Sequence, residues 1–202
     1  MAAGPMKRRG FTLAELLVVI SVIALLIAIV SPGLSGSVDS ARRAKCMAGL
    51  RGLGQAILMY CDAHHGVLPF ANRRYSLPAG WTAPIDALSE HLDAPIPSLD
   101  AQGRVVTSAP FLCPADRDIG PRDGLSYAYM AAGFMQSLPP QVAARLVTVM
   151  YEQAPALPVF WDLTPVHADR KSSQSLDRSG RNMLRFDGVV TRAPRDGVVT
   201  GR

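Results

Sequence analysis

The chain has 202 residues, of which 49% are hydrophobic, 18% charged and only 6% aromatic, with a mean hydropathy of +0.16; that is room for one ordinary domain with a real core once other segments are subtracted. Of its net charge of +5, three units sit in Lys7, Arg8 and Arg9, so the rest carries only +2, which excludes the basic stripe of a nucleic-acid binder, while the aliphatic content excludes disorder. Cys46, Cys61 and Cys113 form no C-x-x-C pair and no zinc spacing, which argues against a structural zinc module.

Residues Phe11 to Val30 form an apolar run broken only by Thr12, Glu15 and Ser21. As a helix this run is about 30 Å long, the thickness of a bilayer core. Lys7, Arg8 and Arg9 precede it and no comparable basic cluster follows closely, so the positive-inside rule places the N-terminus in the cytoplasm and the rest of the chain on the far side. A cleaved secretory signal has a shorter apolar core, about 7 to 15 residues, and a small-residue cut site. Arg8-Arg9 suggests a twin-arginine signal, but Glu15 has no role in an export signal. A plain signal anchor accounts for length and orientation yet leaves Glu15 unexplained, and an acidic residue at the membrane centre costs roughly 2.5 to 3.5 kcal/mol, less near an edge.

Met6-Lys7-Arg8-Arg9-Gly10-Phe11-Thr12-Leu13-Ala14-Glu15-Leu16 resembles the processing site of type IV prepilins and type II secretion pseudopilins: a basic leader ending in Gly, then Phe, then Glu as the fifth mature residue. The resemblance implies cleavage after Gly10 by a prepilin peptidase and methylation of the new amino terminus at Phe11. It also gives Glu15 a purpose. The cationic amine of Phe11 and the carboxylate of Glu15 on a neighbouring subunit neutralise each other, removing two intramembrane charges together.

Ser31-Pro32-Gly33 ends the apolar run, and the missing proline donor predicts a kink or a brief melting of the helix. Val38, Ala41, Lys45, Ala48, Leu50, Leu53, Ile57, Tyr60 and Cys61 then recur at helical steps, an amphipathic continuation to about His65. Gly49, Gly52 and Gly54 each weaken that helix by about 1 kcal/mol relative to Ala, so it must gain stability by packing under a head. His65-Gly66 and Pro69 are a stop signal. Beyond it, Pro84–Leu92 is a short helix with Thr82 as a candidate cap, and Pro139-Pro140 opens another through Val142, Leu146 and Met150. Ser126–Met130 and Pro158–Asp162 are short strands. Asn182–Phe186 and Val189–Arg192 read as a hairpin across a two-residue Asp187-Gly188 turn, and Asp196-Gly197-Val198-Val199 repeats that pattern.

Cys46, His65 to Pro69, Trp81, Cys113-Pro114-Ala115-Asp116, Ser126-Tyr127, Asn182 and Phe186-Asp187-Gly188 resemble the heads of a bacterial subgroup of prepilin-like proteins that end in His-x9-Asp-Gly. Here Asp177 stands where that His would be, so the resemblance implies the fold and the filament context but no head site. His64 and His65 point about 100° apart on a helix and read as solvent-facing rather than metal-binding. Asp116, Asp118 and Asp123 are candidate calcium ligands, since some secretion pseudopilins bind calcium in their heads, but their spacing fails the calcium-loop pattern and Arg117 and Arg122 lie beside them; solvated turn residues are the simpler reading. No catalytic motif is present, so no enzyme is expected.

If the head lies outside the cytoplasm, disulfides persist there. Cys46 and Cys61, about 22 Å apart on one helix, do not bridge each other; Cys113 is left to pair with either, or all three remain buried thiols. The expected architecture is therefore α+β and pilin-like, a long N-terminal helix, transmembrane then amphipathic, on a small antiparallel sheet. Its parts are a leader (1–10), a membrane and assembly segment (11–31), an amphipathic segment (32–66) and a head (67–202). The expected role is a filament subunit of a pilus or pseudopilus in the inner membrane, with the peptidase, other pilin-like subunits and membrane lipid as partners, and with no cofactor, metal or nucleic acid. The alternative is a single-pass anchor bearing an extracytoplasmic binding module that never polymerises.

Overall fold

A computed structural model describes residues 13–73, 76, 78, 80, 84–164 and 180–193. The architecture is α+β, as expected. Helix α1 runs Leu13–Ala63. After it come α2 (Pro84–Leu88) with a 3-10 turn (Ser89–His91), the ribbon strands β1 (Ser98–Leu99) and β2 (Val105–Val106), α3 (Ile119–Asp123), β3 (Tyr127–Tyr129), α4 (Ala131–Met135), α5 (Pro140–Gln153), β4 (Pro158–Asp162), β5 (Asn182–Arg185) and β6 (Val190–Arg192). β1 and β2 pair only with each other, and β3-β4-β5-β6 form an antiparallel sheet in chain order. The chain divides into two compact units, Met1–Ser40 and Ala41–Arg202.

In the first unit the helix is uninterrupted at Ser31-Pro32-Gly33, which corrects the expected melting. Proline removes one donor from the ladder but fixes φ near the helical value, and the turns on either side maintain the helix.

In the second unit the helical face turned to the core is Cys46, Leu50, Leu53, Ile57 and Cys61. The expected face was wrong in its first half: Ala41, Lys45 and Ala48 are exposed, and Val38, in the first unit, is exposed too. At 100° per residue Ala41, Lys45 and Ala48 lie about 105° to 165° around the helix from the centre of Cys46, Leu50 and Leu53, so steps of three and four joined two different faces into one pattern. Gly49 and Gly54 belong to the buried side. A Cβ at Gly49 would stand 2.7 Å from the Pro110 carbonyl oxygen and 3.0 Å from the Tyr127 hydroxyl, and one at Gly54 would stand 3.0 Å from both Leu184 methyls. The glycines that weaken the helix are thus the positions where loop and sheet approach it most closely.

Tyr127, Tyr129, Phe160, Leu184 and Val190 supply the sheet's side of the core, joined by Phe111, Leu68, Ile85, Leu88, Met135, Val147 and Tyr151. The buried tyrosines keep their hydroxyls paired: Tyr127 donates to the Cys46 carbonyl (3.2 Å), Tyr129 to that of Pro69 (3.0 Å) and Tyr151 to that of Pro158 (2.7 Å). Thr148 on α5 accepts from the Leu68 N–H at 2.9 Å, tying the segment after α1 to that helix. α1 ends one turn earlier than the 32–66 segment proposed: His65 (φ 55°) and Gly66 (φ 76°) turn left-handed, and the Gly66 N–H caps the Cys61 carbonyl at 2.7 Å.

The hairpin has a three-residue loop, not the two-residue turn expected. Leu184 pairs with Val190, and the Arg185 N–H donates to the Val189 carbonyl, leaving Phe186-Asp187-Gly188 between them with Gly188 at φ 80°. The loop is held to the end of α5: the Phe186 and Asp187 N–H groups donate to the Leu157 and Pro155 carbonyls. Asp187 accepts from the Val189 N–H (3.1 Å) and pairs with Arg185 (2.7 Å). Asp177, Trp81, Thr82 and the Asp196-Gly197 repeat lie outside the described residues.

Candidate functional site

The residues that carry the sequence resemblance lie in the first unit. Lys7, Arg8, Arg9, Gly10 and Phe11 are outside the described residues, and the described chain begins at Leu13 with α1. Glu15 stands in the first turn, where the unsatisfied N–H groups and the helix dipole favour a carboxylate. From Leu13 to Val30 no residue is buried: Leu16 is 55% exposed, Ile20 57% and Ile27 63%. Ser21, the other polar residue of this stretch, donates its hydroxyl to the Leu17 carbonyl at 2.7 Å, so its polarity is satisfied within the helix. Eighteen consecutive residues of this kind are long and apolar enough to cross a membrane. Apolar surface on this scale is not left in water by soluble monomers; it needs lipid or other helices.

The cysteines lie in the second unit. Cys46 and Cys113 form a disulfide, with Cα atoms 4.7 Å apart, one of the two pairings that the sequence left open. It ties α1 to the loop preceding α3. Cys61 is a buried thiol; burial, then the charges of Asp62 and Glu152, push it up to about 11, which keeps it protonated and unreactive.

The head's candidate ligands have structural roles. Asp116, expected to be solvated, is only 4% exposed. Its carboxylate accepts from the N–H groups of Asp118 (3.1 Å), Ile119 (3.2 Å) and Gly120 (2.8 Å) at the start of α3. Asp123 pairs with Arg122 at 2.9 Å and accepts from Ser76. His64 stacks on Tyr60, ring centroids 3.8 Å apart, with Nδ1 2.9 Å from the Tyr60 carbonyl oxygen. Among the described residues no group of three His, Cys, Asp or Glu is placed to hold a metal. A buried polar network of Arg43, Asp162 and Asn182 was not anticipated from sequence, because each reads singly as a helix or strand residue and only the fold brings them together.

The family comparison bears on the first unit. The model of the prokaryotic N-terminal methylation motif matches residues 5–31, the stretch holding Gly10, Phe11, Glu15 and most of the apolar helix. The chain thus resembles prepilins in its N-terminal segment. It is also 42% identical over 60 residues to the type II secretion system core protein G of Escherichia coli (strain K12), a match taking in 29% of this chain and 41% of that protein. The chain thus spans less than half the length of the relative it matches. No solved structure matches it.

Proposed function

We propose that this chain is a structural subunit of a type IV pilus-like or type II secretion pseudopilus filament. The observation that carries the reading is the methylation motif over residues 5–31, set on an exposed apolar helix whose first turn holds Glu15. A prepilin peptidase hydrolyses the Gly10–Phe11 bond and the freed amine of Phe11 is methylated. Lys7, Arg8 and Arg9 keep the leader cytoplasmic, and the head lies beyond the inner membrane. In the bilayer, lipid is as apolar as the helix, so subunits associate through close packing and through pairing of the Phe11 amine with Glu15 of a neighbour. The partners are the peptidase, other pilin-like subunits and membrane lipid.

Intact mass and N-terminal sequencing of the chain from native membranes test this. A chain beginning at Phe11 with one added methyl is expected. One beginning at Met1 would instead support the single-pass anchor with a binding head, and one beginning beyond Val30 an exported soluble head.

A further inference from the structure

Asp162 ends β4 on the core face of the sheet and is 1% exposed. Its Oδ2 accepts from the backbone N–H (2.8 Å) and the side-chain amide (3.0 Å) of Asn182, whereas Oδ1 is buried without a hydrogen-bond partner among the described residues. The Asn182 side-chain oxygen in turn accepts from Arg43 Nε on α1 at 3.0 Å, and Arg43 Nη2 is likewise buried with no partner among the described residues. A neutral amide therefore separates a carboxyl group from a guanidinium, and each of the two has one unmet atom.

Among the described residues, the other charged or titratable groups around Asp162 do not complete it. Arg181, entering β5, donates Nη1 to the main-chain carbonyls of Asp162 (2.9 Å) and Leu163 (2.7 Å). Asp116, before α3, is of like charge and opposes ionisation. Tyr127, opposite Asp162 on β3, gives its hydroxyl to Cys46. Arg192, opposite Asn182 on β6, is exposed. A buried carboxylate with one bare oxygen is expensive as an anion and much less so as a neutral acid.

We propose that Asp162 is a proton-operated latch in the head: while it is neutral, Asn182 links it to Arg43 and α1 is held firmly on the sheet, and loss of the proton leaves an uncompensated buried anion that loosens this contact. Burial, the largest cause, pushes the carboxyl up to about 7, against the pull of Asn182 and Arg181. Because the folded value lies above that of a free carboxyl, the folded state holds the proton more tightly than the unfolded one. This contribution to stability is full below about pH 4, declines as pH rises to about 7 and is gone above.

The test is thermal unfolding of the full chain in detergent micelles between pH 5 and pH 8.5, comparing wild type with Asp162→Asn. The wild type should lose at least about 4 °C of midpoint relative to the variant as pH rises across that range. A difference independent of pH would overturn the proposal. Should Asp162→Asn not fold, carbon NMR of the wild-type carboxyl groups decides: a midpoint near 7 for Asp162 supports the latch, and one below 5 overturns it.

Discussion

At the scale of the residue, the glycines of α1 differ in what surrounds them. Gly49→Ala would gain about 1 kcal/mol of helix propensity but place a methyl 2.7 Å from the Pro110 carbonyl oxygen, and overpacking of that kind costs about 1 to 3 kcal/mol. The expected net result is a lower thermal midpoint. Gly36 has nothing within 4 Å of its would-be Cβ. Gly36→Ala should therefore slow amide hydrogen exchange in the surrounding turns, reflecting a gain of up to about 1 kcal/mol. Asp116 is a different case, since its carboxylate satisfies three backbone donors. Asp116→Ala should destabilise the head by about 1 to 3 kcal/mol, read as a lower urea midpoint with an unchanged slope. The sequence showed Asp116 only as one of several acids in a turn; its burial comes from the loop folding back onto itself.

At the scale of the element, the Cys46–Cys113 bond joins α1 to a loop across a separation of 67 residues. Closing a loop of that length stabilises by about 4 kcal/mol in the chain-entropy picture. Replacing both cysteines by Ser should lower the urea midpoint of the head accordingly, and a reductant should do the same to the wild type but not to the double variant. Cys61→Ser should leave the disulfide intact. Helix and strand identities were largely legible: α5, β3, β4 and the β5-β6 hairpin fall within the stretches the sequence reading assigned them. What periodicity could not give was the buried face of α1, because Lys45 and Ala48 repeat at the same helical steps as Leu50 and Leu53 while lying about 110° and 170° away from them around the helix. The loop length of the hairpin was likewise hidden, since it depends on Phe186 and Asp187 docking against residues 155–157.

At the scale of the whole molecule, the proposed assembly rests on a single carboxylate in an apolar helix. Glu15→Ala removes the counter-charge of the methylated Phe11 amine, leaving that amine uncompensated in every subunit contact. An unpaired charge of this kind costs a few kcal/mol, so the yield of sheared filaments should fall roughly tenfold or more. The amount of chain in the membrane fraction should not change, because insertion depends on the apolar run from Leu13 to Val30. Equal filament yields from variant and wild type would remove Glu15 from the assembly contact.

The amino-acid sequence by itself determined an apolar run long enough to cross a membrane, the methylation motif and the α+β class. Those properties are local: a bilayer reads contiguous apolar length, and a peptidase site is read residue by residue along an extended stretch. Tertiary structure alone decided that Cys113 pairs with Cys46 rather than Cys61, that Gly49 and Gly54 are sites of close approach, and that Arg43, Asn182 and Asp162 share one buried network. Each of these depends on residues far apart in the chain, and the packing of loop and sheet against α1 sets which of them meet.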